Sequence, residues 1–278
     1  MKNSAAEGLV LDLEKTEKML VNFLREEVGK VGFKKVILGL SGGIDSALVA
    51  FLAAKAFGAE NVYTVMMPYK TSSKESVEHA ELVVKATGIH SKKLEITPMV
   101  EPYFAMNEDM TGLRRGNMMA RTRMCVLFDN SAEEGAMVLG TSNKTEILLG
   151  YSTQFGDSAS AINPIGDLYK AQIWALSEYM GVPKEIRDKK PSADLWEGQT
   201  DEQELGFSYQ IADEVLYYLV EERMSLDEIV ALGYDENIVK TIMRKVKMAQ
   251  YKRKLPVIAN VSDRGMGNNF RYPRDWGV

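Results

Sequence analysis

Apolar residues recur near the start of the chain with the spacing of one helix face. Leu13, Leu20, Leu24 and Val28 lie seven or four residues apart, and side chains at such intervals fall on the same side of an α-helix. Polar residues occupy the positions between them. The pattern predicts an amphipathic helix over residues 9–30 that packs against the rest of the protein and leads into a first strand.

Short apolar runs then alternate with helical patterns. The runs cover residues 36–38, 62–67, 94–96 and 136–139, and each has the length and composition of a buried strand. Strands that alternate with helices predict a doubly wound α/β fold, in which helices cover both faces of a parallel sheet. In such sheets ligands bind beyond the carboxyl ends of the strands, near the topological switch point.

A glycine-containing turn follows the first predicted strand. Residues 40–46, which we call the glycine loop, read Leu-Ser-Gly-Gly-Ile-Asp-Ser and lead into an Ala/Leu-rich helical stretch at 47–56. Glycines permit close approach to a ligand, and the first turn of a helix presents unpaired N–H groups. Ser41 and Ser46 add hydroxyl groups, whereas Asp45 would repel a phosphate unless it held a magnesium ion. The loop therefore predicts binding of a magnesium nucleotide.

The spacing of the glycine loop distinguishes it from other phosphate-binding motifs. No Gly-Lys-Ser/Thr follows it, and it lacks the Gly-x-Gly-x-x-Gly pattern. It resembles the Ser-Gly-Gly-x-Asp-Ser loop of the ATP-pyrophosphatase family, whose members activate a carboxylate or carbonyl by adenylylation. An ordinary capped glycine turn is the alternative, and the strand and helix on either side argue against it.

Polar residues also follow the strand predicted at 136–139. The segment 140–146 reads Gly-Thr-Ser-Asn-Lys-Thr-Glu. Glu146 has two interpretations: it begins a helix without further purpose, or it joins Asp45 in a magnesium site. Its position at a neighbouring strand end favours the second.

Residues 117–132 predict a helix that is apolar around most of its circumference. Met118, Met124 and Phe128 belong to it, and we expect Cys125 to be buried and inert. Packing within the chain is one explanation, and a subunit interface is the other. Arg121 and Arg123 lie in the same helix, and an arginine in such surroundings requires an anionic partner or ligand.

The later part of the chain contains two irregular segments and a helical end. Residues 151–164 predict a long loop over the sheet edge, 168–180 a helix, and 191–206 an irregular acidic segment with the composition of a mobile loop. We expect a single domain over 1–278, with a nucleotide-binding core at 9–206 and a helical appendage at 207–278 that is not a catalytic centre.

Composition excludes several classes of protein. The formal net charge is -5, which argues against a general nucleic-acid surface. One cysteine cannot form an internal disulfide, and two histidines leave no Cys/His zinc site. No secretory signal or membrane-spanning run is evident in the sequence. We expect a cytoplasmic protein without nucleic-acid or membrane partners.

Several blocks together resemble the ammonia-dependent NAD synthetase family. They cover residues 40–46, 140–146, 162–170, 191–196, 198–202 and 252–256. The resemblance implies an adenine-nucleotide α-hydrolase-like, Rossmann-like fold, usually as a homodimer. It also implies conversion of nicotinic acid adenine dinucleotide (deamido-NAD), ATP and ammonia into NAD, AMP and pyrophosphate.

The resemblance assigns roles to individual residues. It gives Asp45 and Lys170 catalytic roles, places Mg²⁺ on Asp45 and Glu146, and brings Arg121 to deamido-NAD. It places ATP on the following residues: Gly39, Leu40, Ser41, Gly42, Gly43, Ile44, Asp45, Ser46, Thr141, Lys170 and Ser192. Nicotinate would attack the α-phosphorus of ATP, and ammonia would attack the resulting acyl-adenylate. Negative charge would then build where magnesium, Lys170 and the loop N–H groups converge.

Two positions depart from the family pattern. Gln154 stands where a lysine is common, and Ala161 stands where an aspartate often precedes Ile-Asn-Pro. If those residues normally hold the dinucleotide, this chain must hold it differently, and Asp157 and Lys252 are the candidates.

Other functions remain open from the sequence. The main alternative is another ATP-dependent amidotransferase or ligase with the same loop, such as the synthetase part of a GMP or asparagine enzyme. A tRNA-thiolating relative is disfavoured, because one cysteine and a net negative charge do not fit it. No glutaminase module precedes the first strand, so ammonia must arrive free or from a partner. A binding module that leaves ATP intact is a further alternative, which retention of Asp45, Glu146 and Lys170 disfavours.

Overall fold

A parallel sheet forms the centre of the computed structural model, which describes residues 4–192, 200–254 and 256–261. Its strands are β1 (Lys35–Gly39), β2 (Val62–Met66), β3 (His90–Lys93) and β4 (Ala136–Val138). The strand order is β3-β2-β1-β4, and all three pairings are parallel. The alternation of strands and helices expected from the sequence is confirmed.

Helices account for most of the remaining regular structure. In chain order they are α1 (Ala5–Gly8), α2 (Leu13–Gly29), α3 (Ile44–Phe57), α4 (Lys74–Thr87), α5 (Thr97–Ala105), α6 (Gly112–Glu134), α7 (Lys144–Leu149), α8 (Lys170–Tyr179), α9 (Lys184–Asp188), α10 (Asp201–Leu205), α11 (Tyr209–Val220), α12 (Leu226–Ala231) and α13 (Glu236–Met248). Short 3-10 turns occupy Ala59–Asn61 and Gln250–Arg253.

Strand β1 shows how helices cover both faces of the sheet. Val36 and Leu38 join a cluster with residues of α2 and α3, such as Leu24. Ile37 points to the opposite face and joins Val126 of α6. Because successive strand side chains alternate between faces, an apolar run that is buried throughout requires cover on both sides. The doubly wound α/β class is therefore confirmed.

The amphipathic helix expected near the start is present as α2. Asp12 caps it by accepting a hydrogen bond from the Lys15 N–H at 3.0 Å. Leu24 and Val28 are fully buried. The cap at Asp12 sets the start, so α2 begins later than the 9–30 range predicted.

Strand β3 lies earlier than its prediction at residues 94–96. All four of its residues are exposed, because it forms the sheet edge and carries no apolar signal. Leu94 and Ile96 follow it, and their N–H groups donate to the carbonyls of Met66 and Pro68 at 2.8 and 2.9 Å. Ile96 is fully buried beneath α5. The apolar run thus marks the continuation beyond the strand.

Helix α6 contains the predicted 117–132 helix and extends beyond it at both ends. Cys125 is exposed on it, so the expectation of a buried thiol was wrong. Val126 and Leu127 are the residues that face the sheet, and Cys125 lies outside that face. Phe128 is 40% exposed on the same helix.

The segment predicted as irregular at 191–206 is partly helical. Residues 193–199 lie outside the described residues, together with the parts of the family blocks that fall there. Helix α10 begins at Asp201, and Gly206, with a positive φ of 84°, is its C-cap. The expectation of an irregular segment was therefore wrong for residues 201–205.

The C-terminal helices pack against the part of the molecule that follows β4. Phe207 and Ile242 share a hydrophobic cluster with Leu149 of α7 and with Tyr169, the residue before α8. The same cluster includes Ala5 of α1. The helices at the end of the chain therefore support α7 and α8. Among the described helices, none combines the length and apolar character needed to cross a bilayer.

Candidate active site

The glycine loop takes a conformation that brings its backbone against α4. Gly42 has a φ of 77°, and a Cβ at this position would lie 2.0 Å from the carbonyl oxygen of Ser76. Both facts require glycine. Ser46 Oγ donates to the Gly43 carbonyl at 3.0 Å, and the Gly43 N–H donates to Ser41 Oγ at 3.2 Å. These hydrogen bonds hold the loop in shape before any ligand arrives.

The amino end of α3 directly follows this loop. Gly43 is its N-cap and makes no side-chain capping hydrogen bond. An uncapped helix start leaves backbone N–H groups and the positive end of the helix dipole for an anion. The structure thus fits the phosphate site predicted from the sequence.

The strand order brings the two predicted carboxylates to one place. The chain runs from β1 through β2 to β3 on one side, whereas β4 pairs with the other side of β1. The switch point therefore lies between β1 and β4. Asp45 follows β1 and Glu146 follows β4, so both lie at that point.

Lys170 joins the two carboxylates. Its Nζ lies 2.6 Å from Asp45 Oδ2 and 3.2 Å from Glu146 Oε1. The lysine side chain is 2% exposed. Residues from three distant parts of the sequence thus form one buried charge cluster, which we call the Asp45–Lys170–Glu146 cluster.

Burial and charge act against each other in this cluster. Burial alone would lower the pKa of Lys170, but the carboxylates of Asp45 and Glu146 outweigh it and raise that pKa above its usual range. Burial raises the pKa of Glu146, because Lys170 only partly offsets the lost hydration while Asp45 adds like charge. The cluster is therefore held as a protonated lysine between two carboxyl groups.

Asn143 hydrogen-bonds both the Asp45 carboxylate and the backbone at the start of the helix that carries Glu146. Its Oδ1 accepts from the Glu146 N–H at 2.9 Å and so caps α7. Its Nδ2 donates to Asp45 Oδ1, also at 2.9 Å. The Asn143 side chain itself is fully buried. One side chain therefore starts a helix and orients Asp45.

A third buried carboxylate lies behind Lys170. Asp201 accepts hydrogen bonds from Tyr209 Oη at 2.9 Å and from Tyr151 Oη at 3.0 Å. The ring of Tyr209 has its centre 5.0 Å from Lys170 Nζ. Burial raises the pKa of Asp201, although the charge of Lys170 and both tyrosine hydrogen bonds oppose this effect. Asp201 lies in the family block 198–202 but received no role from the sequence, and no motif indicated Tyr209.

Asp213 of α11 fixes the start of α8. Its Oδ2 accepts from the Ala171 N–H at 2.7 Å, and its Oδ1 accepts from Thr145 Oγ1 at 2.5 Å. Thr145 Oγ1 in turn accepts from the Lys170 N–H at 3.0 Å. Asp213 thus ties together the two helices that carry Glu146 and Lys170. The C-terminal region supports the site, a role that its helical pattern did not reveal.

A cavity of about 650 Å³ opens beside the cluster. Most of the predicted site residues line it: Gly39, Leu40, Ser41, Gly43, Ile44, Asp45, Ser46, Thr141, Glu146, Asp157, Lys170, Ser192 and Lys252. Gly42 and Arg121 are not among the lining residues. Gly42 instead lies against Ser76, and Arg121 is exposed on α6.

The charged residues assigned to deamido-NAD bind backbone groups nearby. Arg121 donates to the carbonyl of Gln154 from Nε and Nη2, both at 3.3 Å. Lys252 Nζ donates to the carbonyls of Gly150 and Ser152 at 2.8 and 2.5 Å. These contacts hold the loop after α7 in place.

Asp157 makes a similar contact inside that loop. Its Oδ1 accepts from the Thr153 N–H at 2.7 Å. Ala161, one of the two departures from the family pattern, follows a few residues later, and its N–H donates to the Val138 carbonyl at 3.0 Å. The loop is thus attached to the end of β4.

The site fits a magnesium ion bound together with phosphates. Asp45 and Glu146 supply hard oxygen ligands, and their carboxylates already converge on one cationic group. Within the described ranges, no group of three or more Asp, Glu, His or Cys residues is arranged to hold a metal. Magnesium typically takes one or two carboxylates and completes its shell with phosphate oxygens and water. The donor set therefore suits that ion.

Fold and site together define a parallel α/β protein with a Ser-Gly-Gly-x-Asp-Ser loop at the switch point of its sheet. A family model described as NAD synthase matches residues 16–256. The chain belongs to the NAD synthase family.

Individual relatives agree with this family. The chain is 57% identical over 269 residues to the NH3-dependent NAD+ synthetase of Trichlorobacter lovleyi. The aligned region covers 97% of this chain and 98% of the relative. It resembles the structure of NMN synthetase from Francisella tularensis, with a TM-score of 0.81, 32% identity and coverage of 90% and 100%. The NH3-dependent NAD synthetase from Campylobacter jejuni, solved with nitrate, gives a TM-score of 0.78, 35% identity and the same coverage.

Proposed function

We propose that this protein joins free ammonia to deamido-NAD at the expense of ATP, yielding NAD, AMP and pyrophosphate. The Asp45–Lys170–Glu146 cluster beside the glycine loop is the observation that carries the proposal. The relatives named NH3-dependent NAD+ synthetase support the same reaction over nearly the whole chain.

The nucleotide would lie with its phosphates on the glycine loop. Residues 39–46, Thr141, Lys170 and Ser192 would hold ATP, in agreement with their place around the cavity or beside it. Asp45 and Glu146 would hold Mg²⁺, which supplies charge neutralisation on the phosphate oxygens. Lys170 Nζ, which lies 2.6 Å from Asp45 Oδ2 at the glycine loop, would stabilise the charge that builds as pyrophosphate leaves.

Deamido-NAD, the substrate that accepts ammonia, would lie toward the loop after α7 (residues 151–164). Its nicotinate carboxylate attacks the α-phosphorus of ATP, the bond to pyrophosphate breaks, and an acyl-adenylate forms. Ammonia then attacks the acyl carbon, loses a proton and displaces AMP. The protein needs no side-chain nucleophile, and its tasks are orientation, charge neutralisation and exclusion of water. We assign deamido-NAD recognition to Arg121, Asp157 and Lys252.

The first experiment measures NAD and AMP in the same reactions. The purified protein receives deamido-NAD, ATP and Mg²⁺ with either ammonium or glutamine. We expect NAD with ammonium, AMP in equal amount, and little NAD with glutamine. AMP without NAD would assign the chain to another ligase with this loop, and intact ATP would support a nucleotide-binding module.

The Asp45→Asn variant tests the magnesium assignment. This change keeps the side-chain shape and an oxygen for Asn143, but removes the charge that holds the metal. We expect pyrophosphate release to be abolished while circular dichroism shows an intact fold, with a lower melting temperature because the buried Lys170 loses one counter-ion. Normal turnover by this variant would contradict the role of Asp45.

Two substrates should be compared directly, deamido-NAD and its mononucleotide counterpart, because one structural relative is named NMN synthetase. Nicotinic acid mononucleotide, which lacks the adenylate half, should replace deamido-NAD in parallel reactions. We expect higher kcat/KM with the dinucleotide. A preference for the mononucleotide would retain the chemistry and change the substrate.

We further propose a homodimer and a cytoplasmic location. Leu113 and Phe128 are 70% and 40% exposed on α6, and a second copy of the chain would cover this apolar surface. A lone cysteine without a disulfide suits a reducing compartment. We also propose that 1–278 acts as one domain, because the C-terminal helices share a core with α7. Sedimentation at micromolar concentration tests the dimer, and a monomer would contradict it.

A further inference from the structure

Lys189 lies next to the glycine loop, although no sequence motif indicated it. It directly follows α9, and its Nζ donates to Ser76 Oγ at 2.8 Å. Ser76 belongs to the first turn of α4 and is 6% exposed. Its carbonyl oxygen is the atom that a Cβ on Gly42 would strike. One buried serine therefore connects the ammonium of Lys189 to the bend of the glycine loop.

The position of Lys189 differs from that of Lys170. Lys170 reaches Asp45 in the first turn of α3, whereas Lys189 reaches the loop from the side of Gly42 and α4. Both lysines line the same cavity, as do Ser72 and Ser76. Lys190 and Lys252 line it as well, but Lys189 is the lysine that hydrogen-bonds Ser76 beside the bend of the glycine loop.

The two lysines also differ in their charge environment. Lys170 lies between two carboxylates. In the part of the chain that the structure describes, no carboxylate lies within 4.0 Å of Lys189 Nζ, whose hydrogen-bond acceptor is a neutral hydroxyl. A positive charge beside a phosphate-binding loop, with no carboxylate of the described residues paired to it, is available to a ligand of high negative charge.

We propose that Lys189 binds the terminal phosphates of ATP and the pyrophosphate that leaves, with Ser76 positioning its ammonium. This inference rests on the proposed function and adds a residue to it. When the bond to the α-phosphorus breaks, its electron pair goes to the bridging oxygen and pyrophosphate gains negative charge. A lysine near that end stabilises the leaving group more than the intact nucleotide.

The test compares Lys189→Met with Lys189→Arg and a matched control. Methionine keeps the unbranched stem and removes the charge. Lys184→Met is the control, because Lys184 is exposed on α9, pairs with Asp188 and does not line the cavity. The measurements are kcat and KM for ATP, inhibition by pyrophosphate, and inhibition by AMP.

We expect Lys189→Met to weaken pyrophosphate inhibition and to lower kcat/KM for ATP, each about 10- to 100-fold, the usual effect of losing a charged hydrogen bond. AMP inhibition should change less than about two-fold, since AMP lacks the terminal phosphates. Lys189→Arg should recover most of the effect. Ser76→Ala should produce a smaller change in the same direction, because the charge remains without its anchor.

Two results would overturn the inference. Unchanged pyrophosphate inhibition in Lys189→Met would remove Lys189 from the phosphate site, and an equal loss of AMP inhibition would place it at the nucleoside end. Direct calorimetry with magnesium pyrophosphate gives a readout that needs no turnover. If the unchanged protein forms no NAD, the proposed function fails, whereas a calorimetric difference between Lys189→Met and Lys184→Met still decides the role of Lys189.

Discussion

The two halves of the candidate site use charged side chains in opposite ways. In the nucleotide half, Lys170 binds both Asp45 and Glu146, and all three side chains are largely buried. In the acceptor half, Arg121 and Lys252 bind backbone carbonyls. The first arrangement keeps charges oriented for a ligand, whereas the second shapes a loop. Substitutions in the nucleotide half should therefore affect the chemical step, and those in the acceptor half should affect substrate binding.

Lys170→Met provides the most severe test of this comparison. Removing the ammonium leaves two carboxyl groups without their counter-ion and removes stabilisation of the charge on the phosphates. We expect kcat to fall about 100- to 1000-fold, as for the loss of a group that stabilises transition-state charge. The measurement is NAD formation at saturating substrates.

Lys240→Met is the matched control for that variant. Lys240 pairs with Glu236 on the surface of α13, so its loss should leave kcat nearly unchanged. A Lys170→Met enzyme that turns over like this control would refute the assignment of the cluster to chemistry.

Asp213→Asn tests whether the nucleotide half depends on support from the C-terminal helices. The two carboxylate oxygens of Asp213 accept hydrogen bonds from Thr145 Oγ1 and from the Ala171 N–H. In asparagine an N–H₂ group replaces one of these oxygens, so one of the two acceptors is lost. The start of α8 should shift, and misplaced groups lose activity steeply. We expect kcat to fall about 10- to 100-fold while KM for ATP changes less. Equal changes in kcat and in both KM values would indicate general loss of structure.

Asp157→Asn examines the acceptor half. Asparagine keeps an oxygen for the Thr153 N–H, so the loop should retain its shape while the charge disappears. We expect KM for deamido-NAD to rise about 3- to 10-fold, a modest effect because Asp157 is exposed to water. KM for ATP should remain the same. A fall in kcat as large as that of Lys170→Met would abolish the distinction between the halves.

The pH dependence of stability gives the smallest predicted effect. Burial raises the pKa of Asp213 to about 6 from an ordinary 3.8, although hydrogen bonds from Thr145 and Ala171 oppose it. The folded protein therefore retains a proton that the unfolded chain has released, and stability falls as pH rises through this window. Between pH 5 and 7, the Asp213 carboxyl should cost about 1 kcal/mol of unfolding free energy.

Denaturant titrations of the unchanged protein and of Asp213→Asn at both pH values measure that cost. As pH rises, the free energy of unfolding of the unchanged protein should fall relative to that of Asp213→Asn, because asparagine does not titrate. Parallel pH profiles for the unchanged protein and Asp213→Asn would show that Asp213 titrates in the folded protein as it does in the unfolded chain.

Local sequence patterns predicted the sheet and the place of the nucleotide half. Residues 36–38 and 62–67 are apolar runs, and the glycine loop has a fixed spacing, so both signals lie within a few residues. Strand β3 was misplaced because an edge strand needs no apolar face. Cys125 was misjudged because neighbouring residues of an apolar helix point in different directions, and only the packing partner determines which are buried.

The supporting residues had no comparable signal. Asp201 lay in a family block without an assigned role, and Tyr209 and Asp213 read as ordinary residues of a C-terminal helix. Their roles depend on how the chain folds back on α7 and α8. In the acceptor half, the resemblance predicted Arg121. Asp157 and Lys252 were candidates only because the chain departs from the family pattern at Gln154 and Ala161. A local pattern cannot show whether a charged side chain will meet a ligand or a backbone carbonyl.

Asn143 gives the protein an evolutionary constraint of its own. Because the same amide begins α7 and orients Asp45, a mutation there damages two functions at once, and no single compensating change repairs both. Serine or aspartate would still begin the helix, yet neither offers the N–H₂ group that Asp45 accepts from. Descendants of this sequence should therefore retain asparagine here even where the surrounding surface diverges.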